Sequence, residues 1–214
     1  MRVAIAGGHG KIARLLTELL SARGDQVVSL IRNPAHADDV RAAGAEPALA
    51  DLETESPAAI ATAISGSGAV VFAAGAGPGS GAERKETVDH QAAVTLIDAA
   101  RLAQIDRYLM ISSMAADPDH AGEEIFDVYL RAKGRADAAL RASGMRETII
   151  RPGMLTDDPP TGLVTLAESV TRGAISRADV AAVLLACLDA ERTIGQTLEL
   201  VGGTTPIDQA LAAL

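Results

Sequence analysis

Tyr129 and Lys133 stand four residues apart in a stretch, 125–143, whose apolar spacing predicts a helix. At positions i and i+4 two side chains share one helix face, so the spacing brings an ammonium close to a phenol. A neighbouring cation lowers a phenol's pKa from about 10 toward working pH, which makes tyrosine a usable proton donor or acceptor. A second group of chemical residues lies near the N-terminus, where residues 2–13 read Arg-Val-Ala-Ile-Ala-Gly-Gly-His-Gly-Lys-Ile-Ala. A short apolar strand there breaks into a glycine-rich turn and opens an amphipathic helix. Gly7 can take up the tight turn, Gly8 continues it, and Gly10 lets the backbone approach a pyrophosphate with no side chain in the way. Ala13 stands where the third glycine of the dinucleotide fingerprint lets helix and strand pack closely. The free N–H groups and positive dipole end of the following helix suit the phosphates.

The next strand-like run ends in Leu30-Ile31-Arg32-Asn33-Pro34, with Arg32 22 residues beyond Gly10 and no acid at the tip. An acidic residue at that place bonds the ribose of NAD, whereas arginine suits the 2′-phosphate of NADP, so NADP(H) is favoured over NAD(H). The bland reading makes Arg32 a solvated residue before an Asn-Pro turn. Asp51-Leu52 either bonds and covers the adenine or, for Asp51, holds a turn before a helix. His9, inside the glycine loop, reads more readily as an exposed loop residue than as a phosphate contact. Lys11 either adds charge near the phosphates or is a solvated surface lysine.

Around these residues the chain alternates strand-like and helical runs. Strands are expected at 2–6, 26–31, 45–49, 69–74, 107–112 and 146–151, each near-continuously apolar as in a parallel sheet covered on both faces. Helices fit 11–22, 35–43, 56–65, 84–103, 125–143 and 177–190, and Gly24, Gly44, Gly66 and Gly144 fall at or just after four of their ends. The expectation is one α/β domain spanning 1–214, a doubly wound parallel sheet of Rossmann type with helices on both faces. Residues 152–160 read as a loop, and a strand at 196–201 is expected to close the sheet. Substrate-side loops are expected at 75–90, 114–124 and 152–176, with Gly75-Ala-Gly-Pro-Gly-Ser-Gly81 bordering the cofactor.

Composition narrows the partners. A formal charge of −9 and a pI near 4.9 argue against a nucleic-acid surface, and two Phe and two Tyr cannot build a broad stacking platform. The uncharged stretch 57–82 is interrupted by Pro57, Pro78 and many Gly and Ser, so it does not read as a membrane helix. Met1-Arg2 runs straight into the first strand, which leaves no room for a signal peptide and makes the cytoplasm the expected compartment. The single Cys187 sits in an apolar run as a core residue, and four scattered histidines make no metal-ligand pattern.

In order along the chain, Gly-Gly-His-Gly-Lys-Ile, Ile-Arg-Asn-Pro, Ala-Asp-Leu, Val-Phe-Ala-Ala-Gly, Val-Asp-His-Gln, Ile-Ser-Ser-Met, Tyr-Leu-Arg-Ala-Lys and Ile-Ile-Arg-Pro-Gly cover almost its whole length. This set resembles the atypical short-chain dehydrogenase/reductases, above all the small bacterial NAD(P)H-binding group related to NmrA-like proteins and sugar-nucleotide epimerases. The resemblance implies that Tyr129 is the general acid and that Lys133 also holds the nicotinamide ribose. A serine ending the fifth strand, Ser112 or Ser113, would position the substrate oxygen, and Arg151-Pro152-Gly153 would form the wall behind the nicotinamide. It also puts Ile12, Ala74 and Gly75 beside the cofactor. Two departures weaken an epimerase activity: no long C-terminal substrate domain follows, and Met114 replaces a small polar residue after the serines. Two functions follow as expectations. One is an NADP(H)-dependent oxidoreductase acting on a small carbonyl or quinone-like substrate; the other is a non-catalytic NADP(H)-binding redox sensor. Oligomeric state is left open.

Overall fold

Alternate residues of the first strand, β1 (Arg2–Ala6), are buried on opposite faces, as the two-residue period of a strand requires. In the computed structural model, which describes residues 1–77 and 79–214, this strand lies inside a nine-stranded sheet; Pro78 of the glycine-rich segment expected to border the cofactor lies outside the described residues. Val3 and Ile5 pack with Leu16 and Leu20 of α1 (Lys11–Ala22). Ala4 and Ala6 face the opposite core, which contains Ile60, Leu96 and Leu140. Each such buried aliphatic side chain contributes roughly 1.5–3 kcal/mol relative to exposure.

The chain continues through β2 (Gln26–Ile31), α2 (Ala37–Ala42), β3 (Glu46–Leu49), α3 (Pro57–Ala63) and β4 (Ala69–Phe72). A helical segment follows, made of α4 (Ala82–Arg84), a π-helical stretch Lys85–Gln91 and α5 (Ala92–Leu102), then β5 (Arg107–Ile111), α6 (Ile125–Ala142) and β6 (Arg146–Pro152). The last part holds β7 (Met154–Thr156), β8 (Leu163–Ala167), β9 (Ala174–Ser176), α7 (Arg177–Asp189), β10 (Gln196–Gly202), β11 (Thr205–Pro206) and α8 (Ile207–Ala212).

The sheet order is β11-β8-β10-β6-β5-β4-β1-β2-β3, with every pairing parallel except those of β8. From β1 the chain winds first toward β3 and then, through β4, the other way. A crevice opens at the carboxyl ends where that order switches, which is where ligands bind in such sheets.

Three expectations need correction. The strand at 196–201 does not close the sheet: β10 is interior, paired parallel with β6 and antiparallel with β8, and β8 and β11 finish that side. β8 alternates exposed and buried residues in only five positions, too short a signal beside the long apolar runs. Residues 152–160 are not all loop, because β7 pairs with β9 in a small parallel sheet of its own. The helix expected over 84–103 carries the π-helical stretch in its first half, and such widened turns cluster at functional sites.

Candidate functional site

The glycine loop divides its labour. Gly7 has φ +75°, and a Cβ there would lie 2.6 Å from Ala74 Cα, so both backbone conformation and the approach of the β4 end exclude a side chain. A Cβ on Gly8 would lie 2.5 Å from Ser29 Cβ. Gly10 has ordinary extended angles, φ −62° and ψ 152°, and its Cβ would meet Gly7 O at 3.1 Å. Its N–H donates to Gly7 O at 2.8 Å and closes the turn. Gly10 is also the N-cap of α1 and supplies no capping side chain. The first N–H groups of α1 are therefore available to an anion, on the positive end of the helix.

Two cavities meet at this loop. The first, about 300 Å³, is lined by Gly7, Gly8, His9, Gly10, Arg32, His36, Asp51, Leu52, Glu53 and Arg84 among others. The second, about 610 Å³, is lined by Ile12, Lys85, Asp89, Ser112, Phe126, Tyr129, Lys133 and Leu155 among others. Ala73, Ala74 and Gly75, just after β4, line both, so the two form one trough across the switch point.

In the first cavity Arg32 is exposed and its Nη1 donates to Glu53 Oε2 at 2.9 Å. Arg84 reaches the same oxygen at 3.0 Å, and Thr87 Oγ1 donates to Glu53 Oε1 at 2.6 Å. Glu53, which the sequence alone did not single out, thus gathers two arginines in the first cavity. Asp51 Oδ1 accepts the Glu53 N–H at 3.0 Å, so Asp51 shapes a turn and lines the cavity at once. His9 is neither a free loop residue nor without partners: its Nε2 lies 2.8 Å from Asp39 Oδ2 and its ring stacks on His36 at 3.7 Å. Lys11 lines neither cavity. It pairs with Asp157, which also binds Arg177 at 2.7 Å and so ties α1 to the segment after β7.

In the second cavity Ser112 is buried, and its Oγ lies near the Asp137 carboxyl without closing a hydrogen bond among the described residues. Ser113 and Pro152 line neither cavity; Ser113 Oγ donates to Met114 O at 3.2 Å, and Pro152 O accepts the Met114 N–H at 3.2 Å. Tyr129 and Lys133 come from α6, as the helical spacing predicts. The Lys133 ammonium donates to Ile111 O at 3.1 Å and lies 3.3 Å from Asp89 Oδ1. The cation found over the Tyr129 ring is Lys85, 5.4 Å from its centroid and donating to Gly77 O at 2.8 Å. Asp89 Oδ2 accepts the Ala76 N–H at 3.3 Å, so this buried carboxylate holds Lys133 on one side and the loop after β4 on the other.

One turn beyond Lys133, buried Asp137 takes Arg151 Nε at 2.8 Å and Nη2 at 2.7 Å. Burial pushes its carboxyl above the usual range, against the opposing pull of the nearby Ser112 hydroxyl and of Arg151. Lys85, Asp89 and Asp137 are not assigned a role by the sequence alone. Their signal was four-residue spacing, between Lys85 and Asp89 and between Lys133 and Asp137, and for Asp89 its place in Val-Asp-His-Gln. Among the described residues no group of three His, Cys, Asp or Glu could hold a metal, and no helix is long and apolar enough to cross a membrane.

These residues suit a nicotinamide dinucleotide. Glycines stand where a ligand's phosphates need backbone, a helix start lacks a side-chain cap, and Ser112 Oγ makes no hydrogen bond among the described residues beside the larger cavity. Comparisons with known proteins agree. The chain is 39% identical over its full length, and that of the relative, to an uncharacterized sugar epimerase, YhfK, of Bacillus subtilis. Its fold superposes with a TM-score of 0.92 on a Bacillus halodurans protein named as a NAD-dependent epimerase/dehydratase, at 37% identity and with full coverage of both chains. With the oxidoreductase ylbE of Lactococcus lactis the TM-score is 0.87 at 26% identity, covering 100% of this chain and 96% of the other. The model of the NAD(P)H-binding family matches residues 7–191, from the first glycine of the loop to the end of α7 and just beyond, and the chain belongs to that family.

Proposed function

We propose that this protein is an NADP(H)-dependent oxidoreductase acting on a small carbonyl or quinone-like substrate. The observation that carries the reading is the meeting of Ser112, Tyr129 and Lys133 on one cavity that runs into the glycine-loop trough at Ala74 and Gly75. The glycine loop and the start of α1 would hold the pyrophosphate, and Arg32 with Arg84 would receive a 2′-phosphate in place of Glu53. Bound nicotinamide supplies hydride chemistry.

The chain's own groups do the rest. The unpartnered Ser112 hydroxyl can donate to the substrate carbonyl oxygen and fix its position. Tyr129 gives its hydroxyl proton to that oxygen as negative charge develops there. Lys133, anchored by Asp89 and Ile111 O, supplies positive charge on the same helix face. Ile12, Ile111, Phe126 and Leu155 give the cavity an apolar side beside its polar groups, which suits a flat carbonyl compound.

The sensor reading has one observation on its side: the Lys133 ammonium is committed to Asp89 and backbone carbonyls. Steady-state NADPH oxidation across a panel of carbonyls and quinones tests the two. Turnover of a carbonyl that Tyr129→Phe lowers by roughly 10²-fold or more supports the enzyme, whereas tight NADPH binding with no turnover on any acceptor leaves the sensor.

A further inference from the structure

The chain has only three lysines, and two of them, Lys85 and Lys133, line the larger cavity. Lys133 is neutralised by Asp89, at 3.3 Å. Lys85 is only 8% exposed and has no carboxylate partner among the described residues; its ammonium is held by Gly77 O and the Tyr129 ring face. With Asp89 the one acid in the lining, the cavity carries one positive charge in excess, inside a chain whose formal charge is −9. A buried cation without a counter-ion is unfavourable, and a ligand that brings the missing charge relieves it.

The rest of the lining describes the body of that ligand. Two of the chain's four aromatic residues, Phe126 and Tyr129, stack here with ring centroids 5.8 Å apart. Phe126 is 60% exposed and its neighbour Ile125 52%, although both line the cavity. Exposed apolar side chains at a cavity mouth, next to an aromatic pair, suit a flat ring.

We propose that Lys85 is the binding residue for an acidic group on the substrate, and that the substrate class is a planar apolar ring compound carrying a carboxylate or acidic enol beside its reducible carbonyl. The proposal rests on the oxidoreductase reading for the carbonyl alone; the anion site stands on Lys85 and its surroundings.

The test uses the full chain saturated with NADP+ and two probes of one shape, 2-naphthoate and its neutral counterpart 2-naphthamide, titrated by calorimetry. A charge-assisted bond to a buried ammonium makes naphthoate bind roughly 10- to 100-fold more tightly than the amide. Lys85→Met removes that difference while leaving amide affinity in place, and Lys85→Arg keeps it. Equal binding of the two probes by the unmodified protein overturns the proposal, as does a preference that survives Lys85→Met. Loss of amide binding in Lys85→Met also overturns it, because Lys85 would then serve only to hold Gly77. Turnover separates the two readings: with 4-carboxybenzaldehyde and its methyl ester, the acid should show the higher kcat/KM. If neither is reduced while the naphthoate preference holds, the oxidoreductase reading fails and the anion site remains.

Discussion

Gly10→Val separates a glycine kept for the fold from one kept for a ligand. Gly10 has φ −62° and ψ 152°, which any residue adopts, and its nearest neighbour for a new Cβ is Gly7 O at 3.1 Å. The apo protein should lose only about 1 kcal/mol, the penalty of valine at a helix N-cap, and its Tm should fall by roughly 2–4 °C. Cofactor binding should suffer far more, because two methyl groups would stand where the α1 N–H groups meet the pyrophosphate. Losing two charge-assisted hydrogen bonds removes about 3 kcal/mol or more, a decrease of at least ~100-fold in affinity. Gly7→Ala should behave in the opposite order. Its φ of +75° alone costs about 1–2 kcal/mol for a residue with a Cβ, before the 2.6 Å approach to Ala74 is relieved, so the fold weakens first. Differential scanning calorimetry of both apo variants and titration with NADPH decide the matter. Unchanged NADPH affinity in Gly10→Val would move the phosphate site elsewhere.

Arg32 should make NADPH bind more tightly than NADH, Arg32→Asp should reverse that order, and Glu53→Gln should sharpen it by freeing both arginines; equal affinities of the unmodified protein for the two cofactors contradict this. Tyr129→Phe should leave NADPH affinity nearly unchanged and lower turnover of a carbonyl substrate by roughly 10²- to 10⁴-fold, and full turnover in that variant removes Tyr129 from the mechanism. Asp137 should leave its mark on stability against pH. Burial raises its carboxyl above the usual range, so its contribution is full below the ordinary carboxylate pKa and is lost as pH rises through the raised value. Asp137→Asn should therefore flatten that part of the urea-midpoint profile, and parallel profiles for the two proteins rule the linkage out.

The parallel strands were legible because most carry consecutive apolar residues, unbroken in Val3–Ala6 and Ala69–Phe72, and the first turn because only glycine takes φ +75° with no room for a Cβ. Tyr129 and Lys133 were legible as a pair because four-residue spacing survives from sequence into helix. What Lys133 does with its charge was not, since Asp89 lies 44 positions earlier and reaches it only through packing of the π-helical stretch against α6. The widened turn itself has no period that distinguishes it from an ordinary helix. Glu53 was hidden for a similar reason: its meaning lies in Arg32 and Arg84, which approach it from two other elements. The strands β7, β8, β9 and β11 are two to five residues long and lie in a stretch whose pattern favours no single period.

Both rims of the large sheet end in strands that contain proline, Pro47 in β3 and Pro206 in β11. A proline offers no backbone donor, and β11 is only two residues long, so neither rim presents the regular ladder of free N–H and C=O groups on which a foreign strand could template itself. A nine-stranded sheet with this much apolar surface is thereby guarded against growing edge to edge into aggregates.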